Sequence, residues 1–242
     1  METARTNYDD QKTLKEEKQI ALEAAKQKLE SQKVLLAQQK VAKENLLAVT
    51  KNDEKKYQQF LAQAIAQKRA FYGFVSREGG ATILENQTVC DDWGCYYNQR
   101  DSEWGRNYLG ASGLSVAGYG CLVSSVAMIA SHHQINIKPS DIALNPSAFF
   151  SDTALLLDNF SVNGVNIRKR HVSKSLLDSE LSAGRPVIAG LYSGPDHFIV
   201  IKEKKGDNYI MHDPFLENGA NRPLNDKYSV SNISTLRLIK FY

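Results

Sequence analysis

The sequence of 242 residues has few cysteines, few prolines and no long apolar run. No apolar stretch is long enough to span a bilayer, so we expect no membrane span. The formal net charge is only +3 and the basic residues are spread along the chain, so we do not expect a nucleic-acid partner. The first residues, Met1–Arg5, lack the apolar core of a signal peptide. We expect either a cytosolic protein or a protein whose leader is absent from this sequence.

The three cysteines are Cys90, Cys95 and Cys121. Their odd number suggests one thiol with a separate function in addition to a possible disulfide pair. A disulfide between Cys90 and Cys95 is sterically plausible and would imply an oxidising compartment. Two reduced and unrelated cysteines explain the spacing equally well. A zinc site is disfavoured, because it would need two further ligands and usually a closer cysteine spacing.

Residues 1–78 contain no proline and a single glycine, Gly73, and strong helix formers dominate them. Leu22, Leu29 and Leu36 recur at the heptad spacing, and Leu47 follows after a longer step, as a stutter would give. So narrow an apolar stripe indicates a coiled-coil seam rather than a globular core. We therefore predict a coiled coil over residues 1–78 that associates with itself or with a protein partner.

Within this segment, Thr50–Glu54 contains Asn and Asp, which favour a turn or a helix start. Two helices that fold back as an antiparallel hairpin are therefore favoured over one long helix. Gly79 and Gly80 then mark a change of pattern, and all six prolines lie beyond them. We predict a linker over residues 79–95 and a second domain over residues 96–242.

The second domain combines one helical segment with several strand-like segments. Helical spacing over Leu122–His132 precedes apolar runs at Arg185–Tyr192, His197–Ile201 and Asn208–Met211, and the short loop Lys205–Asp207 predicts a hairpin. A helix followed by an antiparallel sheet indicates the α+β class.

Gly118–Ser125 is the most informative segment for chemistry. Its glycines predict a tight turn, and Cys121 follows where the next helix begins. A helix N-terminus presents unpaired backbone donors and a partial positive charge, which favour a thiolate. Cys121 is therefore a candidate nucleophile, although a free cysteine is also often a small buried core residue.

His197 and Asp213 are candidates for the base and for its orienting acid. His197 opens an apolar strand, and Asp213 follows the end of the strand that pairs with it. A three-residue loop over Lys205–Asp207 would place the two side chains on the same face, whereas a two-residue loop would separate them. His212 would point to the opposite face, so it is not expected to be the base.

These residues resemble a known family. Tyr97–Trp104, Gly120–Cys121, His197–Phe198 and Asp213–Pro214 are similar to motifs of the papain-fold cysteine peptidases related to the double-glycine, bacteriocin-processing family. The resemblance covers roughly Tyr96 to Phe215.

The resemblance implies a papain-like peptidase domain in which a helix bearing the nucleophile packs on an antiparallel sheet. It implies Cys121 as nucleophile, His197 as base, Asp213 as orienting acid and Gln99 as a side-chain donor of the oxyanion hole. The reaction that the resemblance implies requires no metal or organic cofactor. Typical members carry a membrane transporter on the same chain, and this sequence has none, so a double-glycine leader substrate is not carried over.

The N-terminal half resembles the coiled coils of secreted bacterial cell-wall hydrolases, particularly around Leu46–Thr50 and Glu54–Gln58. This resemblance implies a secreted or surface-associated hydrolase that cleaves a peptide or the peptide part of peptidoglycan. Two alternatives remain open: a transamidase or acyltransferase that uses the same triad, and a non-catalytic protein that binds partners through its coiled coil.

Overall fold

The computed structural model describes residues 2–50 and 53–242. Two helices come first, α1 over Glu2–Thr50 and α2 over Glu54–Arg77. Asp53 caps α2, because its Oδ1 accepts a hydrogen bond of 3.2 Å from the backbone N–H of Lys56. Two helices are therefore present rather than one, while the antiparallel hairpin stays a prediction and residues 51 and 52 of the predicted turn lie outside the described residues.

The chain divides into two compact units, Met1–Lys40 and Val41–Tyr242. In the first unit the predicted seam residues Leu22, Leu29 and Leu36 are exposed. Their association with a second copy or with a partner stays a prediction. Among the helices of the described residues, none is long and apolar enough to cross a membrane.

The second unit contains the predicted α+β domain, and its helix–sheet composition is confirmed. After α2, residues 79–242 form a small two-stranded hairpin, four α-helices and seven strands of one large sheet. The elements in chain order are β1 (Val89–Asp91), β2 (Gly94–Tyr96), α3 (Val116–Tyr119), α4 (Cys121–His132), α5 (Pro139–Ala143), β3 (Asn159–Val162), β4 (Val165–Val172), α6 (Leu177–Ser182), β5 (Val187–Leu191), β6 (His197–Lys205), β7 (Asn208–His212), β8 (Arg222–Pro223) and β9 (Ile233–Phe241).

The large sheet is antiparallel, with the strand order β3-β4-β9-β5-β6-β7-β8. A hydrophobic cluster that includes most of α4 covers one face, and a second cluster that includes Leu177 and Leu181 of α6 covers the other. Residues 121–130 of α4 are all buried, because this helix lies between the sheet and the segments around β2 and α5. Helix α4, which begins at Cys121, is therefore packed against other elements of the domain along most of its length.

Part of the predicted linker over residues 79–95 has regular structure. β1 and β2 pair in it, and Cys90 stands opposite Cys95 and is joined to it by a disulfide bond. The pairing left open by the sequence is therefore a disulfide, and Cys121 is the free cysteine of the chain. The boundary at residue 78 itself stays a prediction.

The loop between β6 and β7 differs from the expectation. Lys205 pairs with Asn208, so the loop has two residues rather than three, and this loop alone would separate His197 and Asp213. The pairing then shifts between Ile201 and Glu203, where a bulge adds one residue to β6. Beyond the bulge Val200 stands opposite His212, which returns the side chains of residues 197 and 213 to the same face. His197 and Asp213 therefore share a face as predicted, but the bulge in β6 is the cause and not a three-residue loop.

Candidate active site

The turn before Cys121 is built by glycine. Ser115 caps α3, since its Oγ accepts the N–H of Gly118, and the N–H of Gly120 donates to the carbonyl of Val116 at 2.7 Å. A Cβ on Gly120 would lie 2.6 Å from that carbonyl oxygen, so only glycine fits. Cys121 follows at once as the first residue of α4, whose N-terminus has no side-chain cap. The prediction that a helix begins at Cys121 is confirmed, and its function as nucleophile stays a prediction.

His197 and Asp213 form a buried pair. The Nε2 of His197 donates a hydrogen bond of 2.7 Å to Oδ1 of Asp213, and both side chains are fully buried. The Nδ1 of His197 has no hydrogen-bond partner among the described residues, and Cys121 lies close enough to the imidazole to raise its pKa. The structure thus brings together the predicted base and its orienting acid, with the nucleophile beside them.

The charges of this group stabilise a protonated imidazole. Burial alone lowers the pKa of His197, but the Asp213 carboxylate and then the Cys121 sulfur outweigh burial and raise this pKa to about 10. Burial raises the pKa of Asp213, but the His197 imidazole and the hydrogen bonds to the carboxylate reverse this effect and hold the pKa below its ordinary value. An imidazolium beside a sulfur is the arrangement that supports a thiolate nucleophile.

Asp213 is fixed by two further donors that the sequence reasoning missed. The backbone N–H of Phe215 donates to its Oδ1 at 2.9 Å, and the hydroxyl of Tyr228 donates to its Oδ2 at 2.9 Å. Tyr228 is buried, and the pKa of its phenol is raised by burial and by the carboxylate that it contacts. No local pattern marks Tyr228, because it stands 15 residues from Asp213 in an irregular segment after β8.

Replacing Tyr228 by phenylalanine should leave one buried carboxylate oxygen of Asp213 without a donor. We expect unfolding to become easier by about 1–3 kcal/mol and kcat to fall by roughly tenfold, while KM stays near the wild-type value. Thermal unfolding and peptide hydrolysis would measure the two effects. The matched control is Tyr209→Phe, which removes a hydroxyl bonded to Asp178 on the surface. Equal kcat values for the two variants would contradict the role given to Tyr228.

Gln99 lies between the nucleophile's turn and the Asp213 loop. Its side chain is buried, and its Nε2 donates to the carbonyl of Ala117 at 2.7 Å. Its backbone N–H donates to the carbonyl of Pro214, also at 2.7 Å. Gln99 is therefore hydrogen-bonded to the turn that precedes Cys121. Its function as an oxyanion donor stays a prediction.

A polar network ties the segment around Gln99 to the loop after Asp213. The hydroxyl of Tyr96 donates to the carbonyl of Asp213 at 2.8 Å, and the amide of Asn98 donates to the carbonyl of Leu216 at 2.6 Å. The indole of Trp104 donates to the carbonyl of Asn98 at 2.7 Å and is fully buried, as expected for a core residue. These bonds satisfy backbone carbonyls that burial would otherwise leave unpaired.

His212 does not take part in the catalytic group. It is buried, its Nδ1 accepts the N–H of Asn221 at 3.1 Å, and burial lowers its pKa to about 3. His132 contacts the backbone carbonyl of Trp93 through its Nδ1 at 2.8 Å. Among residues 2–50 and 53–242, no group of three histidine, cysteine, aspartate or glutamate side chains is placed to hold a metal ion.

An α+β domain with a cysteine at the start of a buried helix and a histidine–aspartate pair on an antiparallel sheet defines a papain-like cysteine peptidase. Residues 114–227 match the family model of the Peptidase C39 family. This match indicates that the domain is a cysteine peptidase similar to the members of the Peptidase C39 family. The matched range contains Cys121, His197 and Asp213 and begins after Gln99. A search of the curated proteins found no match.

Proposed function

We propose that the protein is a secreted or surface-associated bacterial peptidase that hydrolyses amide bonds through Cys121, His197 and Asp213. The observation that carries the proposal is the position of His197, which donates to Asp213 at 2.7 Å and lies close enough to Cys121 for that side chain to raise the pKa of the imidazole. A peptide or the peptide part of peptidoglycan is the proposed substrate, as the resemblance of the N-terminal segment to cell-wall hydrolases suggests.

In the proposed reaction the Cys121 thiolate attacks the carbonyl carbon, a C–S bond forms, and the carbonyl oxygen becomes an oxyanion. The His197 imidazolium then gives its proton to the leaving nitrogen as the C–N bond breaks. Water attacks the thioester next while His197 accepts a proton, and the acid product leaves with the thiolate restored. Asp213 holds the ring in place and stabilises its positive charge throughout.

The disulfide bond between Cys90 and Cys95 supports the proposed localisation outside the cytoplasm. Structural disulfides form and persist mainly in oxidising compartments, and they are rare in the bacterial cytoplasm. A fractionation experiment that detects the chain in the medium or on the cell surface would support the proposal, while recovery in the cytoplasm alone would count against it.

Gln99 and the backbone N–H of Cys121 are the proposed donors to the oxyanion. Replacing Gln99 by alanine should reduce kcat by roughly a hundredfold, the usual scale for the loss of one such donor. Gln87→Ala is the control, because the Gln87 amide accepts from the backbone of Asn218 in an exposed loop. Peptide hydrolysis by the two variants, each with a wild-type circular dichroism spectrum, measures the effect. An unchanged kcat for Gln99→Ala would exclude Gln99 from the oxyanion site.

A further inference from the structure

The helix α2 lies directly over the candidate active site. It packs against α3, which leads into the nucleophile, and against β6, which begins with His197. With α2 in this position the exposed fraction of Cys121 is 3% and that of His197 is 0%. A peptide chain could not reach either side chain while α2 stays there.

One aromatic side chain of α2 makes the closest contact. The ring of Phe74 stacks on the imidazole of His197, with ring centroids 4.2 Å apart and an angle of 4° between the planes. Phe215 contacts the edge of the same phenyl ring at 5.1 Å, and Phe71 of α2 meets Phe198 at 5.9 Å. Phe74 is therefore enclosed between the candidate base His197 and the ring of Phe215.

Two ion pairs at the end of α2 hold it over the site. Arg77 pairs with Asp196, the residue before His197, and Glu78 pairs with Lys227 at 2.5 Å, the residue before Tyr228. The Arg77 side chain is 57% exposed and that of Asp196 only 13%, so solvent screens the pair in part and a modest contribution to holding α2 is expected. Gly79 and Gly80 follow with φ of +81° and +102°, a conformation that favours glycine, so these two residues end the helix and turn the chain away from it.

We propose that α2 is an intramolecular inhibitor of the peptidase, with Phe74 in the subsite that takes an apolar, aromatic side chain of the peptide substrate. The proposal rests on the proposed function, whose catalytic group α2 covers. The contact joins apolar rings at its centre and exposed charges at its rim, as a binding interface does. Release of α2 opens the site to substrates, and peptides with an aromatic residue beside the scissile bond are the preferred substrates of the open form.

Cys121 is the free thiol of the chain, so iodoacetamide labelling reports on the access to the site directly. The full chain and the variants Phe74→Ala and Arg77→Glu are labelled under identical conditions. Tyr72→Ala and Arg69→Glu are the matched controls, because they make similar changes at exposed positions of α2.

We expect Phe74→Ala to speed labelling by about tenfold or more, the factor that a loss of about 1.4 kcal/mol gives. Arg77→Glu should speed it by about threefold, the scale of one partly exposed ion pair, while the two controls stay at the wild-type rate. Circular dichroism identifies the variants that are folded. If folded Phe74→Ala labels at the wild-type rate, the proposal is overturned. If that variant does not fold, a wild-type rate for Arg77→Glu overturns it.

Peptide hydrolysis by the same proteins separates this proposal from the proposed function. Faster labelling together with faster hydrolysis of a peptide with an aromatic residue supports both. Faster labelling with no hydrolysis in any variant supports α2 as a cover over Cys121 and contradicts the assignment of peptidase activity to this site.

Discussion

Replacing Cys121 by alanine is expected to reduce peptide hydrolysis by at least roughly a thousandfold while the fold is kept. No other side chain in the catalytic group can form the thioester, so the reaction loses its first bond. The change removes a single sulfur atom at the start of α4, where the turn is fixed by Gly120 and by the cap of α3. The stability of the variant should therefore stay close to that of the wild type.

The measurement is the initial rate of hydrolysis with purified wild type, Cys121→Ala and Cys121→Ser, each checked by circular dichroism. Serine keeps the size of the side chain but is a poorer nucleophile at the same position, so it should also be almost inactive. Hydrolysis by Cys121→Ala within tenfold of the wild-type rate would contradict the assignment of the nucleophile.

The second large effect is expected for Asp213→Asn. The carboxylate is one of the groups that raise the pKa of His197, so a neutral amide at this position lowers that pKa. We expect kcat/KM to fall by about a hundredfold or more, because the imidazole also loses its orienting acceptor. The active form needs a protonated His197, which is lost as the pH rises through its pKa. The alkaline limb of the pH profile should therefore move to lower pH in the variant.

The pH dependence of kcat/KM between mildly acidic and strongly alkaline conditions tests this expectation. Asp178→Asn is the matched control, since Asp178 binds Lys204 and Tyr209 away from the site. An alkaline limb at the same pH in the wild type and in Asp213→Asn would show that Asp213 does not govern the charge of His197.

The sequence was sufficient to predict the class of the domain and to single out Cys121, His197 and Asp213, which lie together in the structure. Each of these residues stands in a short local pattern: Cys121 after a glycine turn, His197 at the start of an apolar run and Asp213 just after another. Local patterns of this kind depend on backbone geometry that a few neighbouring residues determine. The helix that begins at Cys121 could be predicted for the same reason.

Long-range features could not be predicted in this way. The bulge in β6 between Ile201 and Glu203 changes which residues face each other, and no local pattern marks it. Tyr228 reaches Asp213 only because the chain returns to the site after β8. The stacking of Phe74 on His197 joins residues that are more than a hundred positions apart, so only the folded chain reveals it.

The central claim is that His197 activates Cys121 as a nucleophile, and acyl transfer from p-nitrophenyl acetate tests it most directly. Mass spectrometry of a digest locates the acetyl group after a brief reaction with Phe74→Ala, the variant in which the site is expected to be open. The account predicts acetylation of Cys121 in Phe74→Ala and its loss when His197→Ala is added to the same protein. Equal acetylation of Cys121 in both proteins, or none in Phe74→Ala, would contradict the claim.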